Sequence, residues 1–188
     1  DELRHENYEI EEIETRGRAQ IASDCDVLVV AGPEHPFAEE EANLVKSYLE
    51  RGGNALLLLE PAGRRGEILD TGFEAMLRWA GIEVQKNFVV EADTAHLLPQ
   101  QAPITFAVTD FGAHPITDPF RRAPLAIFST ARSVRRIEGS AFSPTELFKT
   151  TGQAWAETDL AGLSRGDEPT RGPGDVGGPV SLGAAVET

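Results

Sequence analysis

Basic residues are scarce in this 188-residue chain: 17 Lys and Arg stand against 31 Asp and Glu, a formal net charge of −14. Nucleic acid and anionic lipid surfaces are held by clustered Lys and Arg, so neither is an expected partner of such a sequence. Cysteine is almost missing. The single Cys25 excludes an internal disulfide and a multi-cysteine zinc site, without fixing the compartment. Long apolar runs are missing too. The longest, Ala55 to Leu59, has the length of a strand and falls far short of the ~18 residues that would cross a bilayer. No G-x-x-x-x-G-K-[ST] loop is present. A G-x-G-x-x-G spacing occurs at Gly172, Gly174 and Gly177 and a G-x-S-x-G spacing at Gly162, Ser164 and Gly166, both in the Gly- and Pro-rich stretch 162–178 and neither directly after a predicted strand, while Ser140 follows Gly139 but leads into Ala141 and Phe142.

What is there is an ordinary globular composition, 40% apolar and 26% charged. A chain of this length makes one large domain, or one with an appendage, and buries roughly 70% of its unfolded surface. It opens on Asp1 in mid-pattern and stops at Thr188 after an apolar strand-like run, and so reads as a segment of a longer protein.

The first half alternates strand and helix. Asp26 to Ala31 is a β-branched run ending at Gly32-Pro33, the form of a parallel strand buried on both faces. Glu39, Glu40 and Glu41 suit a helix N-terminus, Leu44, Val45, Tyr48 and Leu49 form one apolar stripe, and Gly52-Gly53 ends the helix. Ala55 to Leu59 is the next strand, broken by Glu60-Pro61. A second helix is spaced by Phe73, Met76, Leu77 and Ala80 and stopped at Gly81, with Phe88 to Val90 as its following strand. Tyr8 to Ile13, imperfectly alternating, is the candidate first strand. These units predict an α/β fold with a mostly parallel open sheet flanked by helices.

The second half is irregular and β-rich. Ile104 to Val108, Leu125 to Phe128, Val134 to Ile137 and Val180 to Val186 read as strands. Residues 162–178, rich in Gly, Pro, Asp and Arg, read as a flexible loop within a single domain. Ser143-Pro-Thr-Glu146 has the form of a helix capping box.

Candidate chemistry is thin. Cys25 precedes its strand, whereas sites of parallel α/β sheets form at strand carboxyl ends, so a structural thiol is favoured over a nucleophile. Asp110, His114 and Asp118 are four apart, but Gly112, Pro115 and Pro119 make their segment a loop, which favours turn and capping roles over a metal site. His35 and His96 are isolated. Arg121-Arg122 and Arg135-Arg136 read as solvated charge before they read as contacts for a partner's carboxylates. No cofactor is expected. The candidate ligand or partner contacts are the strand carboxyl ends: Gly32, Pro33, Glu34, Glu60, Pro61 and Glu91.

Taken in order, Asp26 to Pro33, Phe37-Ala-Glu-Glu-Glu41, Tyr48-Leu-Glu-Arg-Gly-Gly53, Leu56 to Pro61, His114-Pro-Ile-Thr117, Leu147 to Glu157 and Gly178 to Glu187 resemble the extracytoplasmic domain of GldG-type auxiliary proteins of ABC transport systems, a group linked to gliding motility. The resemblance implies a class I glutamine amidotransferase-like, flavodoxin-like fold shared with intraflagellar-transport relatives and used for binding instead of hydrolysis. It also implies a periplasmic position, flanking transmembrane helices outside this segment, and membrane ABC transporter subunits as partners. It carries over no catalytic residue. Because it makes residues 144–151 extended, and because Phe148, Thr150 and Thr151 suit a strand, the extended reading is preferred there over the capping box. The leading expectation is a non-enzymatic binding domain that contacts a protein or peptide, or a glycan. The alternatives are a carbohydrate or small-molecule module with an aromatic-lined pocket near Glu60 and Glu91, and a hydrolase or amidotransferase that joins Cys25 or a serine to a histidine.

Overall fold

A computed structural model describes residues 2–61, 63–64, 67–122, 124–165 and 167–187. Chain order is α1 (Glu2–His5), β1 (Val27–Ala31), α2 (Glu39–Glu50), β2 (Asn54–Leu58), β3 (Gly63–Arg64), β4 (Glu67–Ile68), α3 (Glu74–Trp79), β5 (Ile82–Val84), β6 (Phe88–Val90), β7 (Thr105–Val108) and β8 (Asp110–Phe111), followed by a 3-10 turn (Asp118–Arg121). Then come β9 (Ala126–Ser129), β10 (Val134–Arg136), β11 (Thr145–Lys149), β12 (Trp155–Glu157), α4 (Leu160–Arg165), β13 (Val176–Gly177) and β14 (Ser181–Ala185).

The β1–α2–β2 unit forms as its sequence requires, with β1 and β2 parallel and Val27 opposite Asn54 through Ala31 opposite Leu58. Glu41 reaches back to the Ala38 N–H at 3.0 Å, closing the first turn of α2. The two glycines after α2 do different work. Gly52 takes φ +88°, the left-handed cap, while a Cβ on Gly53 would stand 2.3 Å from the Tyr48 ring. That ring lies across the helix end, so its hydroxyl donates to the Cys25 carbonyl (3.0 Å) and accepts from the Asn54 N–H (3.3 Å).

The expected mostly parallel, flavodoxin-like sheet is not what the rest of the chain builds. Every other strand pairing among the described residues is antiparallel: a five-stranded sheet in the order β5-β10-β14-β11-β8, a three-stranded sheet β13-β12-β6, and the pairs β3-β4 and β7-β9. Helices are few and short, so the molecule is mainly β. The physical reason is that Phe88 to Val90 does not continue the β1-β2 layer. It pairs antiparallel with β12, nearly 70 residues away, a choice that local alternation cannot encode.

The reading of β1 as buried on both faces is also corrected. Leu28, Val30, Ala55 and Leu57 pack toward α2 in the first core cluster, with Val45, Tyr48, Phe73 and Met76. The opposite face is bare: Val27, Val29, Leu56 and Leu58 are 53, 48, 49 and 49% exposed. A second cluster, Val89, Phe106, Val108, Ala156 and Val180, lies beneath the antiparallel sheets and is flanked by Phe128, Phe148 and Leu182. Residues 145–149 are extended in β11, as preferred over the capping box. Within residues 162–178 the structure places the end of α4 and all of β13, residue 166 being outside the description. Tyr8 to Ile13 forms no ladder.

Candidate functional site

Parallel pairing of β1 and β2 sets their carboxyl ends side by side, and this brings five of the six candidate contact residues together. The Gly32 N–H donates to the Leu58 carbonyl at 2.9 Å, sealing the junction. Gly32 takes φ +54°, and the Glu60 carboxyl group lies 3.9 Å from where a Cβ would sit. Glu34 and Glu60 are exposed, Pro33 is half-buried and Pro61 is buried. The resulting rim has two exposed carboxylates, without a partner among the described residues, beside the half-exposed apolar face of Val29, Leu56 and Leu58.

Glu91 is elsewhere and does something else. It closes β6 in the three-stranded sheet and is 1% exposed. Its Oε1 accepts from the Ala92 and Asp93 N–H groups (both 2.9 Å) and from Thr151 Oγ1 (2.7 Å), and its Oε2 accepts from the Thr151 N–H (3.3 Å). A carboxylate so saturated ties two loops together and has nothing left to offer a ligand. Several phenylalanines pack on each other, Phe111 on Phe120 at 5.0 Å and both Phe120 and Phe128 on Phe148 at 5.9 and 5.3 Å.

Among the described residues Cys25 hydrogen-bonds no histidine. Its side chain meets the Tyr48 hydroxyl at 3.7 Å, and burial, followed by that contact, raises the Tyr48 pKa so that the phenol stays neutral. Two of the four histidines have other partners: His96 meets Thr109 and Asp93, and His114 Nδ1 accepts from the Ile116 N–H at 3.2 Å while Nε2 faces Glu187 at 3.5 Å. Among the described residues no group of three or more His, Cys, Asp or Glu side chains could hold a metal ion; Asp110 lies in β8, His114 in the loop after it, and Asp118 opens the 3-10 turn.

The basic pairs divide. Arg135 bonds Glu83, which also meets Arg78 at 3.2 Å, and Arg136 is exposed. The Arg121 side chain lies outside the described residues and Arg122 is exposed. Sequence reasoning overlooked Arg132. It is 4% exposed and its Nε donates to the Gln85 carbonyl at 2.7 Å. Burial depresses its pKa, opposed by the carboxylates of Glu74 and Asp70. Nothing in a run of arginines marks which one turns inward.

A second carboxylate with a structural task is Glu41. The Thr15 hydroxyl, together with the Ala38 N–H, holds its pKa below the ordinary 4.5. A depressed carboxyl stabilises the fold fully above its unfolded pKa and loses that contribution as pH falls through the folded one. Thr15→Ala is expected to move the onset of acid unfolding, followed by circular dichroism from about pH 6 to pH 2, to higher pH than in the parent. An unchanged acid limb would show that the contact carries no stability.

Fold and rim together describe a mainly β domain with one parallel βαβ corner and an acidic, partly apolar rim at the carboxyl ends of β1 and β2. The family model for an ABC-type uncharacterized transport system matches residues 1–188, and the chain belongs to that family, an auxiliary component of ABC-type transport. Among solved structures it is similar to the mmIFT52 N-terminal domain, with a TM-score of 0.57 and 18% identity over 82% of this chain and 68% of that one. At that identity the likeness concerns the fold alone. No curated protein matches the sequence.

Proposed function

We propose that this chain is a non-catalytic binding domain of a GldG-type accessory subunit, placed on the periplasmic side of the membrane and acting by holding a transporter subunit through the β1/β2 rim. The observation that carries the reading is the rim itself: Glu34 and Glu60 exposed at adjacent strand ends, next to the half-exposed aliphatic side chains of Val29, Leu56 and Leu58. Apolar surface rimmed by charge is the usual composition of a protein contact. Transport energy is supplied by another subunit, since this chain has no phosphate loop. The flanking membrane helices belong to the same proposal; among the described residues no helix is long and apolar enough to cross a membrane.

The test is co-purification of the full-length protein with its transporter subunits. Glu34→Lys with Glu60→Lys reverses both rim charges at exposed positions and is expected to weaken the complex at least ~10-fold with an unchanged unfolding midpoint. Retention of the complex by the double variant would remove the rim as the contact. A rise in unfolding midpoint with peptidoglycan fragments, abolished by the same two changes, would favour a glycan in place of a protein.

A further inference from the structure

A cleft of about 460 Å³ opens beside the five-stranded sheet, lined by Asp110 of β8, Arg136 of β10, Ser143, and Thr145, Glu146 and Lys149 of β11. None of the rim residues borders it. The cleft holds two cations and two carboxylates, a balance unlike that of the whole chain, where 17 Lys and Arg face 31 Asp and Glu. Glu146 and Lys149 neutralise each other at 2.7 Å. Asp110 and Arg136 are exposed, and neither side chain has a partner among the described residues. The Lys149 pKa is raised, chiefly by its hydrogen bond to Glu146, with Asp110 adding to the effect and Arg136 opposing it. Both unpaired groups therefore lie within electrostatic range of one ammonium. In the strand order β10-β14-β11-β8 they come from opposite sides of β11, three strand spacings or about 14 Å apart in the backbone. Gly112 lets the end of β8 press against β11: its N–H donates to the Leu147 carbonyl at 2.9 Å, and a Cβ there would overlap the Glu146 carbonyl oxygen. That wall of the cleft is backbone packed on backbone.

We propose that this cleft binds a short peptide by its two charged ends, the terminal carboxylate on Arg136 and the terminal ammonium on Asp110. A ligand of net negative charge would meet Asp110 and Glu146, and one of net positive charge would meet Arg136 and Lys149, so the complement is a zwitterion. The planar guanidinium fork of Arg136 matches a carboxylate, and it is not already committed to one. A single amino acid is too short for the span. The arginine side chain covers part of the distance, and two or three extended residues, ~3.4 Å each, cover the rest. The Ser143 and Thr145 hydroxyls, which bond no other group among the described residues, are left for the peptide's own N–H and C=O groups. No aromatic ring lines the cleft, so a sugar finds no apolar platform there. The site is separate from the rim contact and does not depend on it.

The experiment titrates the full-length protein with trialanine by calorimetry. Saturable binding of one peptide per chain is expected, weakened at least ~10-fold when the amino end is acetylated or the carboxyl end amidated. Arg136→Gln is expected to bind trialanine and its amide equally weakly, and Asp110→Asn to bind trialanine and its acetylated form equally weakly, each with the parent's unfolding midpoint. Each variant thus loses sensitivity only to the end it holds, which a purely structural role would not produce. Absence of saturable binding, blocked peptides that bind as well as the free one, or variants that keep full discrimination between the ends would each overturn the proposal. Glu34→Lys with Glu60→Lys is expected to leave trialanine binding unchanged; its loss there would move the site to the rim and overturn the assignment too. Loss of the transporter complex with trialanine binding intact would bear on the rim alone.

Discussion

Glu91→Ala is expected to be among the most destabilising single substitutions in this protein, costing about 3 to 5 kcal/mol. The side chain is 1% exposed and accepts four hydrogen bonds, so its removal leaves the Ala92 and Asp93 amides and both donors of Thr151 without that partner at a partly buried junction. Each buried donor left without a partner costs roughly 1 to 3 kcal/mol, and partial relaxation keeps the total below the sum. Urea unfolding measures the effect as a lower midpoint at unchanged slope. Glu91→Gln, which keeps the shape and one good acceptor, should fall between the two. If Glu91→Ala instead left the midpoint in place and abolished partner binding, the residue would be a ligand contact and its bonding would have been misread.

Gly72→Ala is expected to cost about 3 to 4 kcal/mol, from two additive sources. Gly72 sits at φ +90°, where an L side chain costs ~1 to 2 kcal/mol, and its Cβ would stand 2.2 Å from the Phe37 carbonyl oxygen, a backbone atom that cannot swing away. The contact is fixed because the Phe37 N–H donates to the Thr71 carbonyl at 2.9 Å, and because Glu74 accepts from the Thr71 and Gly72 amides at 2.7 and 3.0 Å. Gly139→Ala separates the two sources. It also has positive φ, +72°, but nothing lies within 4 Å of its Cβ, so about 1 kcal/mol is expected. Equal losses in the two variants, read by thermal unfolding, would mean that backbone strain alone decides and that the Phe37 contact yields.

The parts of the fold legible in the sequence were those written within about 30 residues. The strand–helix–strand unit from Val27 to Leu58 could be read because its apolar periods switch at Glu39 and again at Gly52, and α3 because Phe73, Met76 and Leu77 share a face. The pairing of β6 with β12, or of β14 between β10 and β11, could not, since a short β-branched run fits many neighbours equally well. One correct parallel pair was therefore extended into a whole parallel sheet. The candidate rim was legible for the same local reason, as Gly32 and Glu60 follow two strands that do lie together. Glu91 was grouped with them because a glutamate ending a strand has the same sequence appearance whether it faces solvent or knots two loops.

The Tyr48 hydroxyl bridges the Cys25 carbonyl and the Asn54 amide at the entry to both strands, and the Gly32 amide closes their exit against Leu58. Pinned at both ends, the corner holds Glu34 and Glu60 on stiff supports before any partner arrives. On the proposed contact, a surface preorganised in this way forfeits little backbone entropy on docking, so affinity changes are expected mainly in how slowly the complex comes apart.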